Sequence, residues 1–191
     1  MRNDLATASD LVWPAAVPPE VAVRTVARRL QPGVDLTARL YHHPFLGMMF
    51  LCGADTGRLR RRVTAGPILA AVVVDLVSGR AFLSDPWNKE DFTTRDVALR
   101  AVTAGSPEGT TVAVRGPAPR LTEAEAIEAG RALLPGLLAR RRRLDRLGAA
   151  RLAGPPVQFG KPNWWVTGRH GERHIEVVVD ALSGRHYVSS A

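Results

Sequence analysis

The segment Ala71 to Ser84, Ala-Val-Val-Val-Asp-Leu-Val-Ser-Gly-Arg-Ala-Phe-Leu-Ser, returns near the other end of the chain. There it runs from Glu176 to Ser189 as Glu-Val-Val-Val-Asp-Ala-Leu-Ser-Gly-Arg-His-Tyr-Val-Ser, at a constant offset. Val72, Val73, Val74, Asp75, Ser78, Gly79, Arg80 and Ser84 meet Val177, Val178, Val179, Asp180, Ser183, Gly184, Arg185 and Ser189, while Phe82 and Leu83 are answered by Tyr187 and Val188. A β-branched run, a turn carrying Asp and Ser-Gly, and a second short apolar run read as a β-hairpin. Two such hairpins suggest a chain of two similar units.

At 191 residues the chain is long enough to bury a proper core, as one domain or two small ones. No apolar run approaches the roughly 20 residues that a spanning helix needs. The first residues carry Asp4 and Asp10 and lack the basic-then-apolar layout of a signal peptide, so a cytoplasmic protein is expected. Cys52 is the single cysteine, which excludes an internal disulfide and fits a reducing compartment. Beside Met48, Met49, Phe50 and Leu51 it reads as a buried, inert thiol. The net charge of +8 raises an acidic protein, nucleic acid or an anionic membrane as partners. That charge is almost wholly arginine, with Lys89 and Lys161 the only lysines, a bias that a GC-rich genome also produces.

Along the chain, Pro18-Pro19-Glu20 and the spacing of Val23, Val26, Ala27 and Leu30 predict a short amphipathic helix stopped at Pro32-Gly33. Residues 45–52 predict a strand leading through Asp55-Thr-Gly57 to the first hairpin. A helix is expected over 92–102, and Gly105-Ser-Pro-Glu-Gly109 reads as the loop between units. Thr122 and Glu125 have the spacing of a capping box opening a helix to Leu147, which Pro135-Gly136 should kink or divide. A strand over 157–167 and the second hairpin follow. The fold class expected is α+β, two repeated units that are each a helix packed on a small antiparallel sheet. The boundaries are 1–17 for an irregular entry, 18–104 for a degenerate first unit and 105–191 for the second, each hairpin resting on the helix that precedes it.

The order Glu123-Ala-Glu-Ala-Ile-Glu-Ala-Gly-Arg-Ala-Leu, a strand at Trp165, a polar turn and Ile175-Glu-Val-Val-Val-Asp-Ala-Leu-Ser-Gly-Arg resembles the PepSY domain. That family is marked by a helix on a small antiparallel sheet ending in V-x-V-D-x-x-(T/S)-G. The likeness covers about residues 122–191, and 18–84 more loosely. It implies a non-catalytic module that binds or restrains a partner, often a peptidase. The chain departs from the family in its Arg-rich helix, and its first residues are not expected to act as an export signal.

Asp75 and Asp180 could serve as paired acid-base carboxylates, but a turn used twice explains both as acceptors of turn amides. His42, His43, His170, His174 and His186 with Cys52 offer metal-ligand types, yet no CxxC or HExxH spacing fixes a site, so no metal or cofactor is expected. Phosphate-loop and nucleophile-elbow motifs are missing from the sequence, and the chain reads as a non-enzyme. Arg140, Arg141, Arg142 and Arg143, with Arg146 and Arg151, lie at the end of the long helix, where the macrodipole favours cations. Leu133, Leu134, Leu137, Leu138, Leu144 and Leu147 would cover its buried face. Trp164 and Trp165 must point to opposite faces of a strand, so one is expected in the core and the other on a surface with Tyr187. The leading expectation is therefore a regulatory, accessory or assembly module. It binds a protein, an acidic one by the charge of the chain, through a sheet face bearing Trp164 or Trp165 and Tyr187, with Arg140 to Arg143 assisting. The alternative is nucleic-acid binding by the basic helix around 140–151.

Overall fold

The computed structural model describes residues 10–30, 34–52, 68–104, 113–140, 150–170 and 172–188. In chain order the elements are β1 (Leu11–Val12), α1 (Pro19–Ala27), β2 (Asp35–Cys52), β3 (Ile68–Asp75), β4 (Ala81–Ser84), β5 (Thr93–Thr94), α2 (Arg95–Ala104), α3 (Glu123–Arg140), β6 (Arg151–Leu152), β7 (Val157–His170), β8 (Arg173–Asp180) and β9 (His186–Val188). A 3₁₀ turn covers Lys89–Asp91. The chain divides into two compact units that interleave in sequence. One holds 44–89 and 118–159; the other holds 9–43, 90–117 and 160–191.

In the first unit β3 pairs antiparallel with β2 from Phe45↔Asp75 to Cys52↔Ile68, and with β4 on its other side. Alternation sends Leu46, Met48, Phe50 and Cys52 of β2, with Ala70, Val72 and Val74 of β3, to one face, and α3 covers them with Ala126, Leu134 and Leu138. The helix starts where Thr122 and Glu125 satisfy each other's backbone amides, at 2.8 Å and 3.3 Å. It lies close to the sheet because Gly130 faces it. A Cβ there would fall 2.7 Å from Met48 Cε and 3.3 Å from a Val72 methyl. Pro135 sits inside α3 without dividing it. Cys52 is buried, and burial pushes its thiol up, the setting of an inert cysteine.

In the second unit β7 and β8 pair from Asn163↔Asp180 to His170↔Arg173, and β9 continues from β8. The core gathers Ala38 and Leu40 of β2, Trp164 and Val166 of β7, and Val179 and Ala181, closed by Ala22 and Val26 of α1. Pro19 opens α1 at a position that needs no amide donor. β1 adds to β7 in parallel at Val12↔Gly160 and pairs antiparallel with β5.

The expected fold class is corrected on three counts. By hydrogen bonding, the nine strands among the described residues join one mixed sheet in the order β4-β3-β2-β7-β1-β5, with β6 on β2 and β8 leading from β7 to β9. The protein is mostly sheet, and not two repeated helix-on-small-sheet units. The likeness of the two recurring segments ends with the hairpins. The helices are also exchanged: α1, which precedes the first hairpin, packs with Val179 and Ala181 of the second, whereas α3 packs on the first. The physical cause is the length of β2. Its even positions Ala38, Leu40 and His42 are buried ahead of Leu46 to Cys52, so the strand starts ten residues before the apolar run at Phe45 and serves both cores. The loop expected at 105–109 and the helix end at 141–147 lie outside the described residues.

Candidate binding face

The two hairpins form the same turn. Asp75 Oδ1 accepts the amides of Val77 (2.8 Å) and Ser78 (3.1 Å), and Asp180 Oδ1 accepts those of Leu182 (2.8 Å) and Ser183 (3.2 Å). Gly79 and Gly184 take φ of 75° and 72°, the left-handed region where a Cβ is strained. The second carboxylate oxygens differ: Asp75 Oδ2 accepts from the Ser78 hydroxyl at 2.7 Å, whereas Asp180 Oδ2 holds Lys161 Nζ at 2.6 Å. Burial alone would raise the Asp180 carboxyl, but the Lys161 ammonium and the two turn amides outweigh it and hold it below the usual range. Both aspartates are thus engaged in fixing turns.

From these turns the strands carry their side chains in register. Val178 lies between Trp165 on β7 and Tyr187 on β9. Residues directly opposite share a face, so the three make a cross-strand row. Tyr187 is 56% exposed and Trp165 half-buried. The guanidinium of Arg39, from β2, stands 6.0 Å from the Trp165 ring centre, completing a row of cation, indole, aliphatic and phenol. Arg39 Nε is buried with no hydrogen-bond acceptor, and among the described residues no carboxylate pairs with Arg39. Thr167 and Glu176 are the next opposed pair on this face, followed by Arg169 and His174.

Trp164 points the other way. It is fully buried, and its indole N–H donates to the Val17 carbonyl at 2.7 Å. It therefore belongs to the core. Of the residues expected to bind, the structure brings Trp165 and Tyr187 together and removes Trp164. Arg140 is the last residue of α3, and Arg141, Arg142 and Arg143 lie outside the described residues. His43 has Tyr41 edge-on at 6.5 Å, while His174 and His186 sit opposite Arg169 and Val179. Among the described residues no three His, Cys, Asp or Glu side chains gather as a ligand set.

Two features escaped the sequence reading. Arg39 was hidden because residues 35–43 carry polar side chains at alternate positions and no apolar run; period two from Leu36 through His42 is the signal that could have found the strand. The first hairpin's equivalent row, Gly47, Val73 and Phe82, is roofed by Trp87 and Phe159, which occupy the space above Gly47. Phe82 and Leu83 at its edge are 43% and 46% exposed. An apolar cavity of about 200 Å³ is lined by Pro14, Val17, Pro18, Ala98, Ala101 and Trp164 among other apolar residues, none of which can transfer a proton. No helix among the described residues is long and apolar enough to cross a membrane. No protein-family model, curated protein or solved structure matches the chain.

Proposed function

We propose that this chain is a non-catalytic protein-binding module, of regulatory or assembly type, that engages its partner through the sheet face of Arg39, Trp165, Val178 and Tyr187. The observation that carries the reading is the row itself. An exposed phenol and a half-buried indole flank a valine on adjacent strands, held by a hairpin whose turn is fixed by Asp180, Lys161 and Gly184. Aromatic side chains on a rigid support provide large contact area at small entropic cost, the usual make-up of an interface anchor. Asp75 and Asp180 are spent on turns, and the apolar cavity has no acid or base, which weighs against chemistry at either place. A cytoplasmic setting fits the lone, buried Cys52.

The test is selection of a random dodecapeptide display library on the whole chain, with the Tyr187→Ala variant as the counter-target. The reading expects peptides that hold the wild type and are lost on the variant. Failure to enrich any peptide, or enrichment indifferent to Tyr187, overturns it.

A further inference from the structure

We propose that the segment this face recognises is acidic and extended, with a carboxylate on Arg39 and an apolar side chain seated over Val178 between the rings of Trp165 and Tyr187. The inference rests on the reading of the face as a protein-binding surface and adds the chemistry of the partner. Arg39 stands over Trp165 at 6.0 Å with its Nε buried, and its guanidinium, half-buried and without a counter-ion among the described residues, favours a carboxylate brought by a ligand to its accessible edge. Among the described residues no neighbour supplies one. On the same face Lys161 and Asp180 neutralise each other, Asp35 lies four residues along β2 from Arg39, and Glu176 is offset by Arg169 and His174 beyond it. The chain's net charge of +8 adds a long-range pull on an acidic partner.

Geometry sets the spacing. Arg39, Trp165, Val178 and Tyr187 stand on four neighbouring strands, β2, β7, β8 and β9. Neighbouring strands are about 4.8 Å apart and an extended polyproline-II chain advances about 3.1 Å per residue with three residues per turn, so Arg39 and Val178 are roughly three peptide residues apart and meet the same side of it. A peptide crossing the strands should therefore carry Asp or Glu about three positions from an aliphatic or aromatic residue. A side-chain carboxylate, unlike a chain terminus, can be met anywhere along a segment, so the acid is aspartate or glutamate.

The experiment uses the peptides selected on the whole chain, remade with acetylated and amidated ends and a fluorophore, and reads binding by anisotropy. Three forms of each are compared: the selected sequence, the acid changed to its amide, and the acid moved by two positions. The proposal expects enrichment of the acidic residue at the stated spacing and at least tenfold weaker binding for the amide and shifted forms. It also expects a similar loss for Arg39→Gln, partial recovery for Arg39→Lys, and little further loss when Arg39→Gln meets the amide peptide. Should the amide peptides bind within twofold while Tyr187→Ala still releases them, the acidic preference is wrong and the protein-binding face stands. Should neither Arg39→Gln nor Tyr187→Ala alter binding, or should a single-stranded oligonucleotide displace every peptide and bind equally to both variants, the face and the inference fall together. The peptide substitutions keep the test decisive even where a protein variant folds poorly.

Discussion

His42 makes the fold sensitive to acid in a window that can be calculated. It lies on the buried face of β2, 9% exposed, against Gly160, where a Cβ would come within 2.7 Å of the histidine's own. Its Nε2 has no hydrogen-bond partner. Burial first, and the charge of Arg95 second, lower its pKa from the usual 6.5 to about 4. The sign follows from which state holds the proton. Above pH 6.5 the imidazole is neutral folded or unfolded and has no effect. Between the two values the unfolded chain binds a proton that the folded chain refuses, so stability falls as pH falls, and the loss levels off below the folded value. Each pH unit is worth about 1.4 kcal/mol, so this residue alone removes about 2 kcal/mol between pH 6.5 and 5. Urea unfolding followed by tryptophan fluorescence, at half-unit steps of pH, gives the curve for the wild type and for His42→Leu. Among the described residues the variant gives up no side-chain hydrogen bond, and it should be close to wild type at pH 7. The difference between the curves should be flat above pH 6.5 and grow to about 2 kcal/mol in the variant's favour at pH 5. Parallel curves would refute the assignment of a buried, uncharged imidazole.

Other consequences are simpler to measure. Gly79→Ala and Gly184→Ala should each cost about 1 kcal/mol in urea midpoints, since both replace a left-handed glycine at φ of 75° and 72°; an unchanged midpoint for both would contradict the shared turn. Trp164→Phe should destabilise by about 1–3 kcal/mol because the Val17 carbonyl loses its donor, whereas Trp165→Phe on the open face should change stability by under about 0.5 kcal/mol.

The legible parts of the sequence were the local ones. The Val-Val-Val-Asp-x-x-Ser-Gly-Arg pattern specified both hairpins, because alternation and a left-handed glycine act over a few residues. The Thr122–Glu125 box marked the start of α3, and Pro19 that of α1. The opposed faces of Trp164 and Trp165 followed from the strand period, although which one is buried depended on α1 and the Val17 carbonyl. What could not be read was long-range. Exchange of the helices between hairpins leaves every local pattern unchanged, since Ala22 and Val26, or Ala126 and Leu134, would suit either hairpin. Two-residue strands such as β1 and β5 have no period to detect. Arg39 reached Trp165 because β2 neighbours β7, a pairing across more than a hundred residues that no spacing announces.

The most direct test of the binding face compares the two hairpins at one equivalent position. Tyr187 and Phe82 both stand at edge-strand sites opposite a valine, Val178 and Val73, and both are substantially exposed. Dissociation of a peptide selected on the whole chain should be recorded for the wild type, Tyr187→Ala and Phe82→Ala by surface-immobilised kinetics. Loss of an anchor worth about 2 kcal/mol predicts dissociation roughly 30-fold faster for Tyr187→Ala, with Phe82→Ala within twofold of the wild type. Acceleration by Phe82→Ala with Tyr187→Ala unchanged would place recognition on the first hairpin and contradict the account.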